Sequence, residues 1–183
     1  MRCFIAIDVD EKIKDAISAL QVELKDFNAN LRWVKPENIH LTLKFLGNVD
    51  EGMLDKIKRA LRVACSGYKN FTLEAKGMGI FPDRRRPRVL WVDIKENDSL
   101  KSLQRAIEDA MVSTGFERDE RGFSPHLTIA RFRSSAEIGQ LYDKIQLYKE
   151  RYFGTMNVDS VLLMESRLRP AGAEYTRLFE VGF

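Results

Sequence analysis

A chain of 183 residues that is 44% hydrophobic and 31% charged has the balance of a soluble globular protein, which excludes disordered, fibrous and membrane-spanning classes. At this length about 70% of the unfolded chain's surface can be buried, so no disulfide or metal staple is required. Lys and Arg number 30 against 27 Asp and Glu, a net charge of +3, which permits a polyanionic ligand without implying a long basic groove. Cys3 and Cys65 stand far apart and in no metal-binding or redox spacing, so a reducing compartment is expected and a disulfide framework is not. The apolar stretch Cys3–Ile7 is cut by Asp8, short of the roughly 7–15 residues of a secretory signal core. The cytoplasm is therefore the expected location, with no membrane partner.

In chain order, Phe4 to Val9 reads as a strand. Asp10 then caps a helix whose apolar positions Ile13, Ala16, Ile17, Leu20 and Leu24 keep the helical period. An extended segment from Trp33 to Leu46 closes at Gly47-Asn48, and Asp50 opens a second helix carrying Leu54, Ile57, Leu61 and Ala64. Strands over Phe71–Phe81 and Arg88–Ile94 flank the turn Pro82-Asp83-Arg84-Arg85-Arg86-Pro87. A third helix has Leu100, Leu103, Ile107, Ala110 and Met111 on one face, with Gly115 as its stop. After a strand at His126–Phe132, Ser134 and Glu137 form a capping box for a fourth helix with Ile138, Leu141 and Ile145. Two strands, about Thr155–Met164 and Tyr175–Phe183, end the chain. Short links and many strands per helix predict an α+β architecture with antiparallel pairing.

The two histidines, the only ones in the chain, open the same tetrapeptide type, His40-Leu41-Thr42-Leu43 and His126-Leu127-Thr128-Ile129, nearly half the chain apart. That spacing marks an internal duplication. Side chains alternate along a strand, so His40 and Thr42 share one face while Leu41, Leu43 and Phe45 share the other. His126 and Thr128 do the same in the second copy, opposite Leu127 and Ile129. Related by a pseudo-twofold axis, two imidazoles and two hydroxyls converge on one cleft. Imidazole, with a pKa of about 6.5, serves as acid or base near neutrality, and phosphodiester cleavage needs one of each. Threonine hydroxyls can donate to non-bridging phosphate oxygens. Two histidines without cysteines or paired carboxylates fall short of a zinc ligand set, so neither a metal nor a cofactor is expected.

Strict alternation turns Arg131 away from His126, which leaves it outside the site. Phe4 has the parity to face the cleft but reads first as core, and Trp33 and Trp91 read as structural. The Asp83–Arg88 run is either a solvated turn or an RNA-backbone contact.

These motifs, with Trp33-Val34-Lys35-Pro36-Glu37-Asn38-Ile39 before the first, Ala130-Arg131 after the second, and Gly172-Ala173-Glu174-Tyr175 near the end, resemble the 2H phosphoesterase superfamily. Its 2′-5′ RNA ligase or RNA 2′,3′-cyclic phosphodiesterase branch is the most similar, over essentially the whole chain. The resemblance implies a bilobal fold of two pseudo-symmetric lobes, each with an antiparallel sheet, facing a central cleft with helices outside, and interleaved into one domain over residues 1–183. It implies metal-independent opening of an RNA 2′,3′-cyclic phosphate to a 2′-phosphomonoester, with a 2′-5′ joining reaction as its reverse. In that scheme His40 gives a proton to the departing 3′ oxygen, His126 takes one from water, and Thr42 and Thr128 hold the phosphate. The implied partners are RNA ends bearing the cyclic phosphate, tRNA fragments among them, met by a monomeric enzyme. Phosphodiesterases acting on 2′-5′ oligonucleotides or small cyclic phosphates, and a non-catalytic RNA-end binding module, are the alternatives.

Overall fold

The first apolar run forms strand β1 (Arg2–Asp8), buried at every position but its ends. A strand that is buried on both faces must lie inside a sheet that is itself covered. Asp10 caps helix α1 (Glu11–Leu24) through a 2.7 Å bond from the Lys12 amide. The remaining elements are β2 (Leu31–Trp33), β3 (His40–Asn48), α2 (Leu54–Cys65), β4 (Phe71–Phe81), β5 (Val89–Ile94), α3 (Asp98–Thr114), β6 (His126–Phe132), α4 (Gly139–Leu147), β7 (Tyr152–Val158), β8 (Ser160–Arg169) and β9 (Gly172–Gly182). The computed structural model describes residues 1–27, 30–134 and 138–183. Asn97 caps α3 by accepting from the Leu100 amide. Gly115 ends that helix at a left-handed φ of 109°, the stop that the sequence predicts.

Nine strands pair antiparallel in the order β7-β4-β5-β6-β3-β1-β8-β9, with β2 alongside β6. The array divides at its centre, because β3 and β6 meet through the single pair Leu41–Leu127. On one side lies a four-stranded lobe of β3, β1, β8 and β9; on the other, a lobe of β6, β5, β4 and β7. Leu41 and Leu127 are fully buried, and burying one such side chain contributes about 1.5–3 kcal/mol. The junction is therefore held mainly by packing. Helices cross between lobes: α1, which follows β1, packs on β7, and α3, which follows β5, packs on β3. Gly154 in β7 permits the first crossing, since any Cβ there would stand 3.0 Å from Ile13 of α1 at a φ of +137°.

Several expectations are corrected. The extended Trp33–Leu46 segment is broken by a 3₁₀ turn at Pro36–Asn38, so β2 joins the second lobe and β3 the first. Asp50 precedes another 3₁₀ turn, Glu51–Met53, and makes no side-chain cap. The expected strand Thr155–Met164 is two strands. The chain changes lobe at Asp159, β7 pairing with β4 and β8 with β1, a break that a continuous apolar pattern conceals. The Ser134–Glu137 capping box falls at Glu137 outside the described residues; α4 begins at Gly139, with Ile138 in the cap position and no side-chain cap bond. Cys3 and Cys65 are buried free thiols, and burial pushes the Cys65 thiol up to about 11, which keeps it protonated and unreactive.

Candidate active site

The Leu41–Leu127 pair turns both leucines toward the core. Antiparallel register then places His40 level with Thr128 and Thr42 level with His126, on the opposite face. All four expected residues line one cleft. Each histidine is anchored in the same way: Nδ1 lies 2.8 Å from the backbone oxygen two residues earlier, Asn38 for His40 and Ser124 for His126. A carbonyl only accepts, so Nδ1 donates in both rings, which fixes the neutral tautomer with Nε2 as the unprotonated nitrogen. Asn38 has a second task. Its side-chain amide donates to the Ala173 carbonyl at 2.8 Å, tying the start of β9 to β3.

That tie brings Tyr175 to His40, ring to ring at 5.2 Å edge-on, with Phe4 at 4.7 Å on another side. Burial among these groups lowers the His40 pKa below its usual 6.5. Arg131 and Lys14 push the same way, while the Asn38 hydrogen bond and Asp8 oppose them. Burial also raises the Tyr175 phenol, which stays a hydrogen-bond donor at neutral pH. His126 meets Phe81 instead, edge-on at 5.5 Å.

Both motif strands carry a bulge at the residue after threonine. Ala6 pairs with Thr42 and Ile5 with Lys44, which leaves Leu43 unpaired; Trp91 pairs with Thr128 and Leu90 with Ala130, which leaves Ile129 unpaired. An extra residue reverses the alternation beyond it. Lys44 and Ala130 consequently turn inward and are buried, while Phe45 and Arg131 turn into the cleft. This corrects two expectations. Phe45, expected beside Leu41 and Leu43, is 61% exposed, and Arg131, expected to turn away from His126, lines the same cleft.

The crossing helices donate to the carbonyls of both bulge residues, the Ile129 oxygen also accepting from the Val34 amide at 3.0 Å. Gln21 of α1 donates to the Ile129 oxygen at 3.0 Å and to the Val34 oxygen at 2.8 Å, and Gln104 of α3 donates to the Leu43 oxygen at 3.3 Å. Lys44 meets Glu108 of α3 at 2.6 Å with both side chains under a tenth exposed. The same lysine donates to the Glu117 oxygen, and Glu108 accepts from the Asp119 amide. This pair pins the loop that leads to Ser124 and His126.

Alternation alone therefore finds the histidines and threonines and misses Tyr175, Phe81, Phe45 and Arg131. The only sequence signal for the last two is that they occupy the same position, five residues after each histidine. Phe4 is 3% exposed, yet it forms the cleft wall against His40. Trp91 packs over Gly79 and against Phe81, a structural position, whereas Trp33 lines the cleft. Among the described residues, no three His, Cys, Asp or Glu side chains group so as to hold a metal ion, and no helix is long and apolar enough to cross a membrane.

The profile of the family described as LigT like Phosphoesterase matches this chain twice, over residues 7–91 and 92–175, one motif copy in each. An RNA 2',3'-cyclic phosphodiesterase of Methanothermobacter thermautotrophicus is 38% identical over 96% of this chain and 95% of its own. One of Thermotoga maritima is 34% identical over 100% of this chain and 96% of its own. Among solved structures, TT0787 of Thermus thermophilus superposes with a TM-score of 0.86 at 25% identity, covering 100% of this chain and 97% of that one. Escherichia coli LigT complexed with 3'-AMP shares the fold, with a TM-score of 0.81 at 23% identity over 99% and 97% of the two chains. A duplicated profile with a histidine motif in each half, on a fold shared from end to end, places this chain in the LigT-like phosphoesterase family.

Proposed function

We propose that this protein hydrolyses the 2′,3′-cyclic phosphate at an RNA end to a 2′-phosphomonoester, with His40 and His126 as acid and base. The observation that carries the reading is the matched anchoring of the two rings, each with Nδ1–H held by a carbonyl and Nε2 left for the cleft. The names of the full-length relatives support the substrate.

In the forward direction His126 Nε2 takes a proton from water as the water oxygen bonds to phosphorus. The bond from phosphorus to the 3′ oxygen breaks, and that oxygen takes the proton from His40 Nε2. The phosphate remains on the 2′ oxygen, and the two rings end with exchanged protonation. His40 must therefore enter as the cation and His126 as the neutral ring. Burial opposes the cation at His40, and the anionic phosphate restores it. Thr42 and Thr128 donate to the non-bridging oxygens, with the Arg131 guanidinium on the same face adding a charge-assisted contact. A 5′-hydroxyl in place of the attacking water opens the cyclic phosphate by the same two proton transfers, giving its proton to His126 and leaving the 3′ oxygen protonated by His40, and forms a 2′-5′ linkage. The buried free thiols Cys3 and Cys65 fit a reducing compartment such as the cytoplasm, where the enzyme would act as a monomer on tRNA fragments or similar ends.

The test is turnover of an oligoribonucleotide ending in a 2′,3′-cyclic phosphate, with chelator present and the product phosphate position assigned. A 2′-phosphate product that disappears in both His40→Ala and His126→Ala is expected. Turnover that survives both substitutions, or binding without turnover in the wild type, contradicts the reading.

A further inference from the structure

We propose that the RNA chain leading up to the cyclic phosphate leaves the cleft at its His40 end, across a row of arginines on the edge of the second lobe: Arg32, Arg131, Arg133, Arg88, Arg86 and Arg85. This rests on the reading that the cleft takes a cyclic phosphate end, and it adds where the rest of the RNA lies.

Strand register assembles the row. β6 runs from His126 past Thr128, level with His40, and on to Arg131, where Arg32 of β2 pairs directly with it on one side and Val89 on the other. The Phe132 amide donates to the Arg88 carbonyl at 3.0 Å, and the Arg133 amide to the Asn30 carbonyl at 2.9 Å. Arg85 and Arg86 follow on the β4–β5 tip, in the bend that precedes Val89. All six arginines are exposed.

The charge on this edge is unbalanced. Like charges directly opposed across a ladder destabilise a sheet, and Arg32 faces Arg131. Among the described residues, none of the six forms an ion pair with a carboxylate. Asp83, the acid of the tip, accepts from the Arg85 and Arg86 backbone amides at 2.7 and 3.0 Å. The other lobe differs. On β8 and β9, Arg167 pairs with Glu165 at 3.0 Å, Arg169 with Glu174 at 3.2 Å and Arg177 with Glu180 at 2.8 Å. Arginines neutralised along β8 and β9 and, among the described residues, left unpaired along the edge of the second lobe fit a polyanion that crosses the second.

The cleft itself measures about 1380 Å³, beyond the roughly 300–1,000 Å³ that encloses a small ligand, so it is open to a chain. The direction also fits the chemistry. A chain arriving at the His40 end sets the sugar, and hence the departing 3′ oxygen, beside the ring assigned to protonate it. The approach from His126 stays open to water.

The test compares an oligoribonucleotide ending in a cyclic phosphate with a 2′,3′-cyclic mononucleotide, in the wild type, in Arg85→Ala/Arg86→Ala/Arg88→Ala, and in Arg167→Ala/Arg169→Ala. The first variant is expected to raise KM for the oligonucleotide about tenfold at ~0.1 M salt and to flatten the slope of log KM against log salt by about 2, at roughly 0.7 per single-strand phosphate contact. Its kcat, and its kinetics on the mononucleotide, are expected to match the wild type, as is the second variant on both substrates. Unchanged oligonucleotide KM in the first variant overturns the inference while leaving the active-site reading standing. A raised KM in the second variant also overturns it, because the chain then crosses the other lobe. A wild type that turns over neither substrate overturns the active-site reading and this inference with it.

Discussion

Strands β3 and β6 are two copies of one device, and their differences are as informative as their likeness. Both hold a histidine by Nδ1 to the second carbonyl before it, both bulge at the residue after threonine, and both receive a glutamine from a crossing helix at the bulge carbonyl. What is shared fixes geometry: two histidines and two threonines lining one cleft. What differs fixes the division of labour. His40 lies against Phe4 and Tyr175, where burial disfavours its cation, whereas His126 touches Phe81. The fifth residue after the first histidine is an aromatic ring, and after the second it is a guanidinium. The fourth is a buried lysine in one copy and a buried alanine in the other. A duplicated scaffold supplies symmetric positioning, and the acid–base asymmetry proposed for the pair comes from its surroundings.

The largest expected effect separates the two rings. A leaving group that departs as a nitrophenolate needs no proton, so His40→Ala is expected to lose about 10²–10⁴-fold on the RNA end and far less on a nitrophenyl phosphodiester. His126→Ala should lose activity on both. Equal losses in the two variants on both substrates would erase the proposed asymmetry.

Next comes the lysine that has no counterpart. Lys44→Met leaves Glu108 as a buried, unpaired carboxylate and is expected to cost about 3–5 kcal/mol in urea unfolding. Lys44→Met combined with Glu108→Leu should recover most of that stability. If the double variant remains as unstable as the single one, the pair is not what holds the loop.

Position five gives a smaller contrast. Loss of a charge-assisted bond to phosphate costs about 1.5–3 kcal/mol, so Arg131→Met should reduce kcat/KM by about 10–100-fold. Phe45→Ala, which removes at most one stacking platform, is expected to raise KM about fivefold at the low end of base-stacking energies and to leave kcat alone.

The glutamines should rank by geometry. Gln21→Met removes the side-chain donor from the part-buried Val34 oxygen and one of two donors from the Ile129 oxygen, which keeps the Val34 amide, and is expected to cost about 1–3 kcal/mol. Gln104→Met breaks one bond of 3.3 Å and should cost less. The reverse order in thermal or urea denaturation would mean that the bulges are held by something else.

The finest test is the titration of His40 by NMR. Its folded-state pKa lies below the usual imidazole value because it is buried, so the folded protein binds fewer protons there than the unfolded chain. The stability linked to this group is fully present above the unfolded value and is lost as pH falls through the folded one. Tyr175→Ser opens the ring to water and is expected to move the His40 midpoint upward. A midpoint that does not move would assign the shift to Phe4 and Arg131 instead.

Much of this was readable in one dimension. The helical periods, the Asp10 cap, the Gly115 stop and the two His-x-Thr copies on a polar strand face depend on residues within a few positions of one another, so local spacing is enough to reveal them. The bulges at Leu43 and Ile129 were not readable, because a bulge exists only relative to a partner strand. Everything downstream of that register was hidden as well: Phe45 turned out of the core, Arg131 turned into the cleft, and Lys44 turned inward to Glu108. The change of lobe at Asp159 and the placing of Tyr175, Phe4 and Phe81 beside the histidines were concealed for the same reason. They are set by pairings between segments distant in the chain, and side-chain alternation within a single strand carries no record of which strand lies next to it.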